Sequence, residues 1–408
     1  MNRMIHKSYK FRLYPSDKDK KLLAIHFGHC RFVYNYFLKE RQGFYFKNKK
    51  TLSYNNCSQA LTLLKKRNNY SWLNDVNAQS LQQALKNLET AFDKFFKKQA
   101  KFPKFKCKDG ANSFNIPQHF KIKGNRIYIP KFKEGIPFIK HRLIKGKIRS
   151  ATISKKPSGR YYVSILTEQM VTIPDSSNTA KVVGIDLGLK DFVITSDGIK
   201  YQNFKFQRKL QVKLAKLQKH FAKKQRMSNR RSRLKLQIAK LHEKITNSRE
   251  NMQHVVSKRL IAAYDVVCLE TLSVKNMMRN HKLAYAIGDV AWNSFIEKLK
   301  YKADWQGKLV IQIEHFYPSS KTCHGCGYIN QGLTLKDRSW ICPNCGKSLD
   351  RDINAAKNIL TRGLTILSSA TDDYRHGAEI RPATELSNVG TGVEVSKIGS
   401  NCKTKRTS

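Results

Sequence analysis

Two Cys-x-x-Cys pairs constrain the fold of this 408-residue sequence more strongly than any other feature. Cys323 and Cys326 form the first pair, and Cys342 and Cys345 follow after 15 intervening residues. Four thiolates at this spacing can close a tetrahedron around Zn²⁺, and the glycine after each pair eases the turn beneath the metal. Since four protein ligands leave no open coordination position, we predict a structural zinc site, with a redox dithiol pair as the alternative interpretation.

The charge of the chain limits the kinds of partner it can bind. The 78 lysine and arginine residues exceed the 29 acidic residues by 49, so an uncompensated chain would repel itself. Nucleic acid is the polyanion that this excess favours, and an anionic membrane surface is second. Because hydrophobic residues make up 40% of the sequence, a packed core is feasible and wholesale disorder is excluded.

Two further patterns bear on where the protein acts. No apolar run approaches the roughly 20 residues that a membrane-spanning helix needs. Residues 1–13 alternate charged and apolar side chains and lack the continuous apolar stretch of a signal peptide. We therefore expect no membrane partner and a reducing cytoplasm, where cysteines bind metal or stay free.

The first half of the sequence changes its pattern twice. Residues 6–14 alternate like a half-buried strand, helical periodicity dominates 16–100, and short strand-like runs return over 113–170. We predict that residues 1–14 and 113–170 form one β unit that the helical segment interrupts. The composition of residues 171–181 is typical of a linker.

The second half has a defined order of elements. The patterns predict three strands within 182–201, a basic helical segment at 205–259, a strand at 265–270, a helix at 284–305, a strand at 308–314 and a helix at 353–363. By fold-level analogy, this is the element order of an RNase H-like domain. Residues 366–408 are polar with little apolar periodicity, and we expect them to be a flexible tail.

The basic helical segment carries much of the positive charge. It contains 18 lysine and arginine residues against two acidic ones, and two apolar stripes flank the polar sequence at 227–232. This pattern predicts a helical hairpin with basic outer faces. Because a purely structural arm usually alternates charge signs, we predict that Arg230 and Arg231 contact nucleic acid there. A plain coiled-coil-like arm is the alternative.

Three of the scarce acidic residues stand at the ends of predicted elements. Asp186 and Glu270 each end a strand, and either Asp350 or Asp352 could be the N-cap of the last helix, the other being a third carboxylate. Carboxylates at the carboxyl ends of adjacent strands can converge, and divalent cations such as Mg²⁺ or Mn²⁺ would offset their repulsion. Two such ions about 3.5–4 Å apart can support phosphodiester hydrolysis.

Several longer motifs follow one another in a specific order. They are YKFRLYP (9–15), RFVYNYFL (31–38), LKNLETAFDKFF (85–96), FPKFK (102–106), GIDLGLKDF (184–192), CLETL (268–272), YPSSKTCHGCG (317–327) and CPNCGKSLDRDINAAKNI (342–359). With these motifs, over residues 1–365, the chain resembles the TnpB-type (OrfB-family) proteins. These are transposon-encoded RNA-guided DNA endonucleases related to type V CRISPR effectors.

The resemblance implies an α+β multidomain fold. Its parts are a wedge β-barrel (1–15 and 101–180), an inserted helical recognition domain (16–100), a RuvC-like, RNase H-like α/β nuclease domain (181–320 and 347–365), a zinc ribbon for target nucleic acid (321–346) and the flexible tail (366–408). In this arrangement the zinc ribbon interrupts the nuclease domain just before its last acidic residue.

The resemblance also implies roles for single residues. Asp186, Glu270 and Asp352 match the three catalytic carboxylates, so Mg²⁺ is the implied catalytic cofactor. Asp352 takes the third position as the second aspartate of DRDxNAA, and Asn354 would support the site. The four cysteines match the family's zinc ribbon, which implies structural Zn²⁺. Because all three acids are present, nothing in the sequence indicates an inactive member.

The implied partners are RNA and DNA. A guide RNA derived from the transposon end would pair with one strand of double-stranded target DNA, while the protein reads a short transposon-adjacent motif. The side chains matched to motif reading are Tyr54, Ser58, Gln79 and Gln82. The resemblance further implies a role in transposon maintenance, a monomer, and a prokaryotic cytoplasm with nucleoid association.

Two other functions are alternatives. A nucleic-acid-binding regulator without cleavage, RNA-guided or not, would use the same charge around a vestigial nuclease site, but the intact acidic trio disfavours it. A DDE-type transposase also places three carboxylates on an RNase H-like fold. The zinc ribbon before the last acidic residue disfavours that function.

Overall fold

The computed structural model describes residues 2–173, 180–334 and 336–375. The first range forms an N-terminal unit of helices and two antiparallel sheets, and the other two form a C-terminal unit around one mixed sheet. The predicted linker lies at the junction of the units, and its residues 174–179 are outside the described part of the chain.

The N-terminal unit begins and ends with long strands. Its elements are β1 (Asn2–Leu13), α1 (Asp17–Asn48), α2 (Tyr54–Lys66), a 3₁₀ helix (Asn68–Asp75), α3 (Ala78–Phe96), β2 (Asn112–Ile116), β3 (Lys121–Lys123), β4 (Arg126–Tyr128), β5 (Ile136–Pro137), β6 (Lys147–Lys155) and β7 (Tyr161–Thr172). The order β1-β7-β6-β2 forms a four-stranded sheet, so the predicted pairing of the first strand with the later ones is confirmed.

A second, three-stranded sheet joins the first near the end of β1. Its order is β3-β4-β5, and a bridge between Leu13 and Phe138 connects the two sheets. The backbone N–H of Tyr14 donates to the Pro137 carbonyl at 2.8 Å, which extends the same connection. The β elements of this unit therefore form one continuous assembly.

Three α-helices occupy the interval between β1 and β2, as predicted. Ser16 caps α1, since its hydroxyl accepts from the Asp19 N–H at 3.2 Å and the Asp19 carboxylate accepts from the Ser16 N–H at 3.0 Å. Phe37 of α1 and Leu85 of α3 belong to the same buried cluster as Phe11 of β1. The helical segment therefore shares one hydrophobic core with the β unit and has no separate core of its own.

The C-terminal unit alternates strands and helices. Its elements are β8 (Val182–Asp186), β9 (Asp191–Thr195), β10 (Lys200–Gln202), α4 (Phe206–Ala222), α5 (Asn229–Ala263), β11 (Val266–Glu270), α6 (Val274–Met277), α7 (His281–Val290), α8 (Trp292–Asp304), β12 (Leu309–Ile313), β13 (Ser339–Ile341), β14 (Ser348–Asp350) and α9 (Arg351–Arg375). The strand order is β10-β9-β8-β11-β12, and β8, β11 and β12 run parallel.

Helices cover both faces of this sheet. Val183 and Ile185 of β8 lie in one buried cluster with residues of α5 and α8. Cys268 of β11 lies in another cluster with Ile359 of α9. Because side chains alternate between faces along a strand, Gly184 and the residues two positions away from it face α9.

Two predicted helix boundaries are wrong. The helix predicted at 284–305 is two helices, α7 and α8, because Ala291 adopts a left-handed conformation with φ 54° and breaks the chain direction between them. The last helix extends to Arg375, so residues 366–375 of the predicted tail are helical, and Ile366 and Leu367 pack against the core. Residues 376–408 lie outside the described residues.

None of the described helices is both long enough and apolar enough to span a membrane.

Candidate catalytic and metal sites

Asp186 and Glu270 end neighbouring parallel strands at the same level. The register of β8 and β11 pairs Val182 with Val266 and proceeds residue by residue to Ile185 with Leu269. The next residues on the two strands are Asp186 and Glu270, whose backbones are therefore about 5 Å apart. Both side chains follow the alternation that faces α9. The predicted convergence of these two carboxylates is present.

The first turn of α9 brings a third carboxylate to the same edge. A Cβ atom at Gly184 would lie 2.0 Å from the carbonyl oxygen of Ala356, so only glycine permits this close packing of α9 on β8. Ala356 is one turn after Asp352 on α9, and Gly184 is two residues before Asp186 on β8. The close contact therefore positions Asp352 beside Asp186.

The structure distinguishes between Asp350 and Asp352. The Asp350 carboxylate accepts from the backbone N–H groups of Asp352 at 3.0 Å and Ile353 at 3.1 Å, and it forms an ion pair of 2.7 Å with Lys200. Burial opposes ionisation of Asp350, but these donors together lower its pKa. Asp350 is therefore the cap of α9, and Asp352 is the residue free to join the carboxylate group.

The three carboxylates interact electrostatically through Asp186. Burial and, to a smaller extent, the negative charges of Glu270 and Asp352 together raise the pKa of Asp186 to about 7, against the opposing effect of Arg351. Burial also raises the pKa of Glu270, while a hydrogen bond from the Ser319 hydroxyl opposes this rise. This edge of the sheet thus holds more negative charge than its surroundings compensate.

Two arginines partly compensate the negative charge of the third carboxylate. Arg351 Nη2 lies 2.9 Å from one Asp352 oxygen, and Arg338 Nη1, from the segment before β13, lies 3.5 Å from the other.

Among the described residues, the four cysteines alone form a group of three or more ligand side chains whose atoms all lie within 4.8 Å of one another. The carboxylates are therefore spaced more widely than the ligands of one small ion.

The four predicted zinc ligands form a compact cluster. Sγ of Cys323 lies 3.7 Å from Sγ of Cys345, and Sγ of Cys326 lies 3.6 Å from Sγ of Cys342. A tetrahedron with Zn–S bonds of about 2.3 Å requires sulfur separations of about 3.8 Å, so the thiolates fit Zn²⁺. The cysteines occur as free thiols rather than disulfides in the described residues.

Each Cys-x-x-Cys pair forms the same backbone turn. The N–H of the glycine after each pair donates to the carbonyl of the first cysteine, at 2.9 Å for Gly327 and 2.8 Å for Gly346. Both glycines have positive φ, 77° and 70°, which is the conformation that the sequence suggested for a turn under a metal. The geometry of the cysteine cluster is therefore encoded locally.

Asparagines on α9 connect the zinc ribbon to the carboxylate edge. Asn354 Oδ1 accepts from the His324 N–H at 2.9 Å, and its Nδ2 donates to the Thr322 carbonyl at 2.7 Å. One turn later, Asn358 Nδ2 donates to the carbonyls of Ser319 at 2.7 Å and Thr322 at 2.6 Å. The supporting role expected of Asn354 thus consists of holding the ribbon.

Sequence reasoning missed several residues at this edge. Ser319, Arg338, Arg351 and Asn358 all contact a carboxylate or hold a residue that does. The i, i+4 spacing of Asn354 and Asn358 on one helix face was a detectable signal for one of them. The other three lie near the ribbon ends, where no periodic pattern applies.

The basic segment forms the predicted helical hairpin, α4 and α5, but its two arginines differ. Arg230 is exposed, as a phosphate contact would require. Arg231 instead donates to the carbonyls of Phe221 and Lys224, both at 2.8 Å, and its guanidinium stacks on the Phe221 ring at 3.9 Å. These donors satisfy carbonyls at the end of α4, and the contact of Arg231 with nucleic acid stays a prediction.

The four residues matched to motif reading lie on two adjacent helices. Tyr54 and Ser58 are on α2, and Gln79 and Gln82 are on α3. Gln82 is exposed, whereas the Oε1 atom of Gln79 is buried without a hydrogen-bond partner. The Lys86 ammonium lies 5.7 Å from the centre of the Tyr54 ring, which places this part of α3 beside α2.

Three family models match parts of the chain. The model described as "Helix-turn-helix domain" (HTH_OrfB_IS605) matches residues 1–50, "Probable transposase" (OrfB_IS605) matches 164–281, and "Cas12f1-like, TNB domain" matches 292–359. In this chain, the described residues 2–50 form one strand and one long helix rather than a helix-turn-helix. The third match contains all four cysteines.

Curated relatives match the chain over nearly its whole length. A protein of Streptomyces pristinaespiralis named "Putative RNA-guided DNA endonuclease" is 36% identical over 96% of this chain and 96% of its own. A protein of Escherichia coli named "Putative RNA-guided DNA endonuclease InsQ" is 30% identical over 88% of this chain and 93% of its own. Both matches therefore extend over the N-terminal and the C-terminal unit of this chain.

The fold has a solved counterpart. The Cas12f1 chain of the Cas12f1–sgRNA–target DNA complex aligns with a TM-score of 0.54 and 13% identity, over 87% of this chain and 98% of that one. At this identity the likeness concerns the fold alone. The identity and coverage of the two relatives above are decisive. They show that the chain belongs to the TnpB (OrfB) family.

Proposed function

We propose that this protein is an RNA-guided endonuclease that cleaves double-stranded DNA with divalent cations held by Asp186, Glu270 and Asp352. One observation carries the proposal: two carboxylates end level parallel strands, and the close packing at Gly184 brings a third carboxylate to them. The names of the full-length relatives support the same activity.

The architecture supports different functions for the two units. We assign the C-terminal unit to a RuvC-like nuclease domain, because its mixed five-stranded sheet has helices on both faces and the acids at one edge. We assign residues 321–346 to the ribbon that places target nucleic acid. The two joined sheets of the N-terminal unit support a wedge barrel, with α1 to α3 as the recognition helices.

The carboxylates provide oxygen ligands that suit Mg²⁺. Burial and the neighbouring charges of Glu270 and Asp352 raise the pKa of Asp186, and a divalent cation would relieve the repulsion and favour the ionised form. Magnesium bound there would activate a water and stabilise the leaving oxygen of the phosphodiester. The Ser319 hydroxyl fixes one oxygen of Glu270, and Arg351 orients Asp352.

The charge of the chain supports a guide RNA and a heteroduplex as ligands. A protein that grips an RNA–DNA duplex by its backbone needs many cations and few base-reading side chains. The net charge of +49 is of that kind, and the α4–α5 hairpin concentrates it. Tyr54, Ser58, Gln79 and Gln82 are the side chains we assign to the short duplex motif beside the target.

Guided cleavage of a plasmid tests the proposal directly. RNA that copurifies with the protein would be sequenced, and a plasmid carrying the matching target would be presented with Mg²⁺ and a randomised flanking sequence. We expect the wild type to cut plasmids with one flanking motif, and Asp186→Ala to leave them intact. Equal cutting by both proteins would refute the assignment of the site.

The same assay separates the alternatives. Guide-directed binding without metal-dependent cutting would identify a regulator. Joining of DNA strands in the absence of RNA would identify a transposase, which is the function named by the family model that matches residues 164–281. Cutting that requires both the guide and Mg²⁺ excludes the two alternatives together.

The α4–α5 hairpin makes a separate prediction about nucleic-acid binding. Replacing exposed Arg230 with alanine should reduce the salt dependence of guide-RNA binding by about one phosphate contact, a change of roughly 0.7–0.9 in the logarithmic slope. Arg231→Ala is the control, because its guanidinium already bonds carbonyls within the hairpin. An unchanged slope for Arg230→Ala would remove the hairpin from the phosphate-binding surface.

A further inference from the structure

The segment that follows α3 combines exposed aromatic rings with uniform positive charge. Residues 94–108 contain seven lysines, four phenylalanines and no acidic residue. Neither the zinc ribbon nor the carboxylate edge uses this segment. We call it the Phe–Lys platform.

Three rings of the Phe–Lys platform are open to solvent. The exposed fractions of Phe96, Phe102 and Phe105 are 59%, 40% and 52%. Phenylalanine is usually among the buried residues, so several exposed rings within ten residues indicate a binding surface. Phe102 and Phe105 are three residues apart, so their Cα atoms are separated by at most about 11 Å, a span of a few stacked bases.

The rings rest on a rigid base. Phe102 packs edge-on against Phe92 at 5.7 Å and against Phe95 at 5.2 Å between ring centres, and Phe96 stacks beside Phe92 at 6.2 Å. Phe92 itself is buried in the core of the N-terminal unit. The platform is therefore anchored through α3 and does not depend on a ligand for its shape.

The loop after α3 is held just as firmly, although it has no regular secondary structure. The Asn35 side chain of α1 bonds both backbone groups of Lys106, accepting from its N–H at 2.8 Å and donating to its carbonyl at 2.9 Å. The Lys106 ammonium lies 3.9 Å from the centre of the Tyr34 ring. A surface ordered in advance loses little conformational entropy on binding.

The charge of the platform selects the ligand. Lys94, Lys97, Lys98, Lys101, Lys104 and Lys108 are all exposed, and none of them has an ion-pair partner within the described residues. Aromatic rings flanked by free cations suit a single-stranded nucleic acid, because bases stack on the rings while phosphates meet the ammonium groups. A paired duplex keeps its bases covered and offers only the phosphates.

We propose that the Phe–Lys platform binds an unpaired stretch of the guide RNA by stacking bases on Phe96, Phe102 and Phe105. The inference rests on the proposed function, which supplies the RNA. A folded RNA presents unpaired bases in loops and ends at all times, whereas target DNA presents them only after strand separation. The guide RNA is therefore the ligand that offers unpaired bases without a preceding step of strand separation.

Short oligonucleotides test the proposal on the full chain at high salt. The probes are oligoadenylate RNA, an abasic RNA of the same length and the matching DNA strand. The wild type should bind the RNA about fivefold to a hundredfold more tightly than the abasic probe, as expected for stacked bases. Phe96→Ala combined with Phe105→Ala leaves only Phe102 of the three rings, so it should lose most of this preference, with unchanged affinity for the abasic probe.

Two further variants control for misfolding and for the loss of an exposed apolar side chain elsewhere on the surface. Phe96→Trp with Phe105→Trp should retain the preference for bases, and Leu143→Ala removes a side chain that is 73% exposed outside the platform and should change nothing. Equal binding of base-bearing and abasic RNA by the wild type would overturn the proposal. So would a preference for the DNA strand that the alanine variant loses, because this would assign the platform to DNA.

Guided plasmid cleavage is measured on the same preparations. Cleavage by a wild type that shows no preference for bases would refute the platform alone. Failure of guided cleavage, with the base preference intact, would refute the proposed nuclease function and leave an RNA-stacking surface.

Discussion

The two candidate metal sites of the C-terminal unit, the four cysteines and the three carboxylates, are built in opposite ways. The cysteines lie within residues 323–345, and local backbone turns bring their sulfur atoms within 4.8 Å of one another. The carboxylates lie as far apart in sequence as Asp186 and Asp352, and strand register and helix packing bring them together. One site therefore needs only its own segment, whereas the other needs the whole unit to fold.

The largest expected effect comes from breaking the local site. Cys342→Ser should reduce bound zinc from about one ion per chain to almost none, because three thiolates no longer close the tetrahedron. Cleavage should be lost with it, since the ribbon holds Ser319 beside Glu270. Zinc content by mass spectrometry and plasmid cleavage measure the two effects.

Cys107→Ser is the matched control for the zinc prediction. Cys107 is exposed and lies outside the cluster, so zinc content and cleavage should stay at the wild-type level. Full zinc content in Cys342→Ser would contradict a four-thiolate site.

A substitution in the carboxylate site, which long-range contacts assemble, should change activity without changing stability. Asp352→Asn should reduce cleavage by more than about a hundredfold, since changes to residues that merely support metal ligands cost about 10–100-fold. Zinc content and guide-RNA binding should be unchanged. Cleavage kinetics and zinc analysis on the same sample measure this separation.

Asp350→Asn is the matched control, two residues away. Asparagine keeps the oxygen that caps α9 and loses only the ion pair with Lys200, so the variant should lose at most about 1 kcal/mol of stability and still cleave DNA. Loss of cleavage in Asp350→Asn, with cleavage retained in Asp352→Asn, would exchange the roles of the two residues.

The carboxylate site should also make the metal-free protein sensitive to pH. Asp186 has a pKa raised from 3.8 to about 7, so its protonated form stabilises the fold below pH 4 and this stability is lost as the pH rises through about 7. The effect is at most about 4 kcal/mol. Thermal unfolding of wild type and Asp186→Asn across this range measures it.

The asparagine variant should lack this dependence on pH, because its side chain does not titrate. Added Mg²⁺ should raise the stability of the wild type above pH 7 and leave Asp186→Asn unchanged. Identical pH profiles for the two metal-free proteins would show that Asp186 is not held in a charged group.

The smallest expected effect tests the contact that assembles the long-range site. Gly184→Ala would place Cβ 2.0 Å from the Ala356 carbonyl, so α9 must shift, at a cost of roughly 1–3 kcal/mol. Cleavage should fall while zinc binding remains. Gly43→Ala, which has nothing within 4 Å of the added carbon, should be neutral or slightly stabilising.

A Gly184→Ala variant with wild-type cleavage would contradict the packing argument. Denaturant unfolding, zinc content and cleavage of both glycine variants provide the comparison.

The sequence was informative where a pattern repeats or a spacing is chemically restricted. The two Cys-x-x-Cys pairs predicted a zinc cluster, and alternation predicted β8 to β11 within a few residues. It was uninformative where two residues satisfy the same local rule. Spacing alone left Asp350 and Asp352 as equal candidates, and only the hydrogen bonds to the α9 backbone distinguish them.

Other differences arise from contacts between distant segments. Arg231 belongs to a basic run, but the carbonyls that it satisfies are at the end of the preceding helix. The break at Ala291 has no glycine or proline to signal it, and the continuation of α9 to Arg375 depends on packing of Ile366 and Leu367. Composition made residues 366–375 resemble a tail, whereas α9 continues into this segment and the partly buried Ile366 and Leu367 pack against the core.

The attachment of the zinc ribbon has a mechanical consequence. The ribbon begins two residues after Ser319, which bonds Glu270, and ends a few residues before Arg351, which bonds Asp352. A force applied to the tip of the ribbon would therefore reach both acids through these short connections, without passing through the core. Binding of a nucleic-acid strand by the ribbon would therefore be coupled mechanically to the positions of Glu270 and Asp352.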